Sequence, residues 1–138
     1  MAMVRATIRT LLLLMLAVPL TSSVVFKGPS KDPSGTWKLT RLYNDDMKFF
    51  RQELVLSFTN DGRLMGKSAC GAFSGTWSVQ DGHMRIADLR HSDAPCGYTR
   101  HVERKLFQAL QETRMVQRKG EVMDLMCQER RVAVLRAV

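Results

Sequence analysis

After residue 35 the chain is dominated by short runs in which apolar and polar residues alternate, and a period of two marks half-buried β-strands. Thr36 to Tyr43 is an imperfect example, with Trp37 and Leu39 on one face and Lys38 and Thr40 on the other. Leu54 to Phe58 and Leu64 to Ala69 flank Asn60-Asp61-Gly62, residues that tolerate positive φ, so they are expected to form a hairpin. A second hairpin is expected from Phe73 to Val79 and Met84 to Leu89 around Asp81-Gly82. The period then changes. Val102, Leu106, Phe107 and Leu110 recur at three to four residues with charged and amide side chains opposite them, which predicts one amphipathic helix with Thr99 as a possible cap. Met115 to Gln117, Val122 to Met126 and Val132 to Leu135 complete the strand pattern. Antiparallel hairpins with one covering helix fit a small antiparallel barrel or a strongly curled sheet of about seven to eight strands, because closure removes exposed edges.

The first 23 residues follow a different pattern. Arg5 and Arg9 precede the apolar run Leu11 to Val18, which ends in Pro19 and the small polar residues Thr21, Ser22 and Ser23. That is the layout of a secretory signal peptide, with cleavage expected near Ser23. The run is too short and too interrupted for a dependable spanning helix, and it contains no cysteine to carry a lipid. The expected organisation is a signal peptide over 1–23, a Pro-, Gly- and Ser-containing linker over 24–34 and one domain over 35–138. A periplasmic or secreted protein that is not a lipoprotein follows, with no stable membrane span after processing.

Charge adds a class of partner. The chain holds 21 Lys and Arg against 13 Asp and Glu, and removal of Arg5 and Arg9 leaves a formal +6. A field of this sign favours an anionic envelope component or an envelope protein as partner. The basic residues are interspersed with acids, and the chain has neither zinc-finger nor helix-turn-helix spacing, so nucleic acid is not an expected partner. A monomer is expected.

Candidate chemistry is sparse. Cys70, Cys96 and Cys127 are the only cysteines, and export places them in an oxidising compartment. A Cys70–Cys96 disulfide, enclosing about 25 residues and worth roughly 3.5 kcal/mol by loop entropy, would tie the irregular loop after residue 90 to a strand end. Cys127 would then stay a free, buried thiol, although a Cys70–Cys127 pair is the alternative. His83, His91 and His101 are scattered and lack metal-ligand spacing with the cysteines. Ser74 stands out of step with a nucleophile elbow, and Asp61 and Asp81 occupy turns. No catalytic residue, cofactor site or metal site is therefore assigned. Gly-Thr-Trp occurs at Gly35 to Trp37 and again at Gly75 to Trp77, each opening a strand.

The run from Phe58 to Trp77, with Gly66, Cys70, Phe73 and Gly75, resembles the signature of the META/HslJ domain family. Cys96, Glu103, Phe107, Leu110 and the closing hairpin resemble its later landmarks, over about Gly35 to Leu135. Gly71 stands where that family usually has Asn, and Ala94-Pro95 where it has Met-Ala. The resemblance implies a calycin-like barrel plus helix, with Trp37, Gly66, Phe73, Gly75, Trp77, Phe107 and Leu110 as structural residues. It also implies a non-catalytic, stress-related structural or interaction domain of the bacterial envelope. A ligand-binding or enzyme-inhibitor module on the same scaffold is the alternative.

Overall fold

The structure is a computed structural model in which residues 30–68, 70–91, 97 and 99–138 are described. The expected signal segment, residues 24–29 of the expected linker, and Cys96 lie outside the described residues. The strands are β1 (Gly35–Leu42), β2 (Asp45–Asp46), β3 (Val55–Phe58), β4 (Arg63–Ser68), β5 (Gly71–Gln80), β6 (His83–His91), β7 (Met115–Lys119), β8 (Val122–Cys127) and β9 (Arg130–Ala137). A 3-10 turn at Met47–Phe49 and one α-helix, α1 (Arg100–Glu112), complete the described elements.

All strand pairings are antiparallel, in the order β6-β5-β4-β3-β1-β9-β8-β7, with β2 pairing β1 off this path. Both expected hairpins are present, as β3-β4 and β5-β6. The expected small calycin-like barrel or strongly curled sheet is corrected. The nine-stranded sheet is open, because its terminal strands β6 and β7 share no ladder. The hydrogen bonds at β7's outer edge explain why. Ser30 N–H donates to the Arg118 carbonyl at 2.9 Å and Arg118 N–H donates back to Ser30 at 2.8 Å. Backbone groups paired with Ser30 are not available to β6, whose Met84 N–H makes one bond of 2.7 Å to the Arg114 carbonyl just before β7.

Alternation along the strands gives the sheet a single packed face. Trp37, Leu39, Leu56, Phe58, Leu64, Met84, Met123, Leu125 and Leu135 are all buried to 2% exposure or less, and α1 adds Leu106, Ala109 and Leu110. The helix packs against β6, β9, β1 and β8. Its first residues are already helical at Thr99 (φ −86°, ψ −3°), so the Thr99 side chain makes no capping bond there. The helix end is fixed instead by Thr113, whose hydroxyl donates to the Ala109 carbonyl at 2.8 Å and which is fully buried.

Tryptophan has the same use in both Gly-Thr-Trp segments. The Trp37 indole N–H donates to the Pro33 carbonyl at 2.8 Å, while Arg118 lies 4.8 Å over the ring and donates to the Ser34 carbonyl at 3.1 Å. The Trp77 indole N–H donates to the carbonyls of Thr59 (3.0 Å) and Arg63 (3.1 Å), closing the β3-β4 turn. Each ring thus fills space on the packed face while its one polar atom holds an incoming loop.

Candidate interaction surface

The segment between β1 and β3 carries the two-residue β2 and a 3-10 turn before the chain rejoins the main path of the sheet. Tyr43 turns the chain with φ 51°, and β2 pairs back on β1 through Arg41–Asp46 and Leu42–Asp45. Asp46 then accepts the Lys48 N–H at 3.0 Å, capping the 3-10 turn, and this bond is the chief reason its carboxyl lies below the ordinary range. The turn presents Phe49 at 81% exposure, with the Lys48 ammonium 4.8 Å from the ring centroid.

Clefts surround this segment. One of about 480 Å³ is lined by Phe49, Phe50, Arg51, Gln52 and Thr99. A second, about 410 Å³, lies between Gln52, Glu53, Lys67, Ser68 and Gly71. The third, about 330 Å³, runs from Lys38 past Met47 and Phe50 to Glu53. Lys38–Glu53 at 2.5 Å and Lys48–Asp46 at 3.3 Å pair residues that line the third cleft, and Lys105 of the helix pairs with Asp45 of β2 at 2.6 Å. All three pairs are exposed, so each adds little to stability and each can be exchanged for an outside partner.

A separate polar cluster lies at the carboxyl end of α1. The Tyr43 hydroxyl donates to Glu112 Oε2 at 2.9 Å, Arg130 donates to the same oxygen at 3.1 Å, and Gln108 donates to Oε1 at 3.0 Å. Burial, followed by the hydrogen bond to Glu112, pushes the Tyr43 phenol up to about 12. The Gln108 and Tyr43 hydrogen bonds hold Glu112 below its ordinary value. A phenol held protonated beside a carboxylate held ionised is a clamp between β1, α1 and the β8-β9 turn rather than an acid-base pair poised near neutrality.

The residues singled out in the sequence lie elsewhere. Trp37, Phe73 and Leu110 are buried on the packed face, and Trp77 and Phe107 pack against it half-buried. Phe73 and Phe107 meet edge to face at 5.5 Å. Gly66 leaves room for the Phe73 ring, and Gly75 for Leu89 and the Ala87 carbonyl, which a Cβ would approach to 2.9 and 3.0 Å. None of these seven lines the clefts. Cys70 is buried beside Ser68, whose hydroxyl accepts its N–H at 3.3 Å. Of the described cysteines, Cys70 is disulfide-bonded and Cys127 is a free thiol, half-buried rather than buried as expected, while Cys96 lies outside the described residues. A Cys127 pairing is thereby excluded from this structure. Among the described residues no group of three or more His, Cys, Asp or Glu side chains could hold a metal ion. The sequence reading passed over Lys48 to Glu53, although Phe49 and Phe50 flanked by Lys48 and Arg51 in an aperiodic stretch were a visible signal.

The META domain model matches residues 32–138. The chain belongs to the META domain family. That match spans the whole described sheet and helix, including Asp32 to Ser34, which Trp37 and Arg118 hold. A crystal structure of a DUF4847 family protein from Bacteroides vulgatus ATCC 8482 is similar in fold to this META domain, with a TM-score of 0.57 at 17% identity, covering 75% of this chain and 92% of that one. A protein structure determined by NMR is similar with a TM-score of 0.58 at 15% identity, covering 74% and 87%. At these identities the likeness is one of fold alone. A search of curated proteins returns no match. Among the described residues no helix is long and apolar enough to cross a membrane.

Proposed function

We propose that this META domain is an exported, non-catalytic interaction domain of the bacterial envelope, of the stress-related type that its family resemblance implies. The observation that carries the reading is the filled packed face. Trp37, Leu56, Leu64, Leu106, Met123, Leu125 and Leu135 belong to one core cluster at 2% exposure or less, which leaves recognition to the outer surface. The Arg5 and Arg9 region with its apolar run supports export, and cleavage near Ser23 would release a domain without a lipid. A ligand-binding or inhibitor module is the second reading, favoured by Phe49 standing exposed between clefts.

The test is recovery of the full-length gene product from a bacterial periplasmic extract, followed by intact-mass measurement and assay on envelope polymers. The expected species lacks residues up to about Ser23, carries no lipid and turns over no polymer. A mass that includes Met1 to Ser23, or steady turnover abolished by one substitution, contradicts the proposal.

A further inference from the structure

The register of the sheet places cations from distant parts of the chain in one row on the outer face. Lys67 of β4 lies opposite Val55 of β3, which lies opposite Lys38 of β1, and Lys38 lies opposite Arg136 of β9. Arg136 in turn lies opposite Val122 of β8, and Val122 opposite Lys119 of β7. Directly opposed residues share a face of a sheet, so the row runs Lys67, Val55, Lys38, Arg136, Val122, Lys119 across adjacent strands. At about 4.8 Å between strands it extends about 24 Å. All four cations are exposed. Lys67, Lys119 and Arg136 take part in none of the ion pairs between described residues, and Lys38 meets Glu53 alone. Of the other acids near the row, Asp124 is bound to Arg131 at 3.3 Å, and Glu121 is exposed in the turn between Lys119 and Val122. At the Lys67 end the row opens into the cleft of about 410 Å³ that Lys67 and Glu53 line.

We infer that this row is a docking track for a flexible, linear phosphate-bearing polymer. It deepens the envelope reading by naming the surface and the partner's chemistry. Three arguments select that occupant. Neighbouring strands are rotated by about 20 to 25°, so the cations wind about the row's own axis; a flexible chain can follow them, whereas a flat bilayer meets only part of the row. Three of the four are lysines, compact point charges that bind phosphate oxygens without a fixed fork geometry and so suit a polymer whose charges repeat along a mobile chain. The residues between the cations are Val55 and Val122, which give nucleobases no aromatic platform.

The experiment titrates the full chain, processed as it is recovered, with inorganic polyphosphate over a series of salt concentrations. Polyglutamate and oligodeoxythymidylate serve as carboxylate and nucleic-acid comparators. Replacing Lys38, Lys67, Lys119 and Arg136 with Gln should weaken polyphosphate binding at least about tenfold at low salt and flatten the log–log salt slope by about 3, at about 0.7 per cation. Replacing Lys31, Arg85, Arg100 and Arg104 with Gln removes the same charge away from the row and should leave the slope nearly unchanged. Glu53→Gln frees Lys38 and should tighten binding several-fold, a gain that a damaged fold would not produce. Equal losses from the two quartets, no polyphosphate binding by the parent chain, or tighter binding of either comparator would overturn the inference. A chain that binds polyphosphate along the row yet keeps residues 1–23 in cells would retain the track and refute only the envelope reading.

Discussion

The two faces of the sheet obey different rules. On the packed face each position is fixed by its neighbours: Phe73 sits over Gly66, Phe58 meets Trp77 edge to face at 6.1 Å, and no buried side-chain nitrogen or oxygen among the described residues lacks a partner. On the outer face the side chains are solvated and free to exchange partners, as the exposed Lys38–Glu53 pair illustrates. The contrast separates stability from recognition. Substitutions on the packed face should change folding and leave recognition unaltered in whatever still folds, and substitutions on the outer row should do the reverse.

The largest effect is expected at Trp37, which is 1% exposed and holds the Pro33 carbonyl. Trp37→Ala should cost about 3 to 5 kcal/mol in urea unfolding. Trp77→Ala should cost about half as much, because that ring is only half-buried and its two carbonyl partners can turn to water. Equal costs would mean that the two Gly-Thr-Trp segments are energetically alike and that burial does not rank them.

Next comes Gly66→Ala, whose new Cβ would overlap the Phe73 ring and lie 2.9 Å from the Val55 carbonyl. Overpacking of this kind should cost about 1 to 3 kcal/mol, read as a lowered thermal midpoint. A second substitution, Phe73→Leu, should restore part of the loss, and failure to do so would place the strain elsewhere.

A smaller effect concerns pH. The Tyr43 phenol ordinarily titrates at 10.0 and is raised to about 12 in the fold. The folded state therefore keeps a proton that the unfolded state releases first, and the associated stability is present below pH 10 and lost as pH rises toward about 12. Denaturant midpoints for the parent and Tyr43→Phe should converge over that window, whereas an unchanged gap would mean that the clamp does not depend on the phenol's proton.

The smallest changes should come from the outer row. Lys67→Gln and Lys119→Gln should each move stability by no more than about 0.5 kcal/mol. A larger loss from either would make the row part of the folding energetics and blur the distinction between the faces.

How much of this was legible in the sequence follows the same division. Alternation is a local property, so both hairpins, α1 and the closing strands were readable from runs such as Leu54 to Phe58 and Val102 to Leu110. Closure is not local. It depends on whether β6 and β7 meet, and a contact at Ser30, in a stretch without periodicity, occupies the edge that closure would need. The cationic row escaped for a related reason. Lys38, Lys67, Lys119 and Arg136 are far apart in the chain, and the basic clusters visible along it, Arg100 to Lys105 and Arg130 with Arg131, contribute nothing to the row. Cross-strand register decides which charges become neighbours, and a slip of one residue would send each to the other face. The exposed Phe49 turn was missed differently, since an aperiodic stretch between strands carries no pattern to follow.

The claim that recognition belongs to the outer face is tested most directly by mapping backbone amide shifts of the isotopically labelled chain during titration with inorganic polyphosphate. The account predicts perturbations centred on Lys38, Val55, Lys67, Lys119, Val122 and Arg136, saturating together and vanishing at high salt, with the amides of Leu106 to Leu110 unmoved. Perturbations centred on α1 and the packed face, or spread evenly over all exposed lysines and arginines, would contradict it.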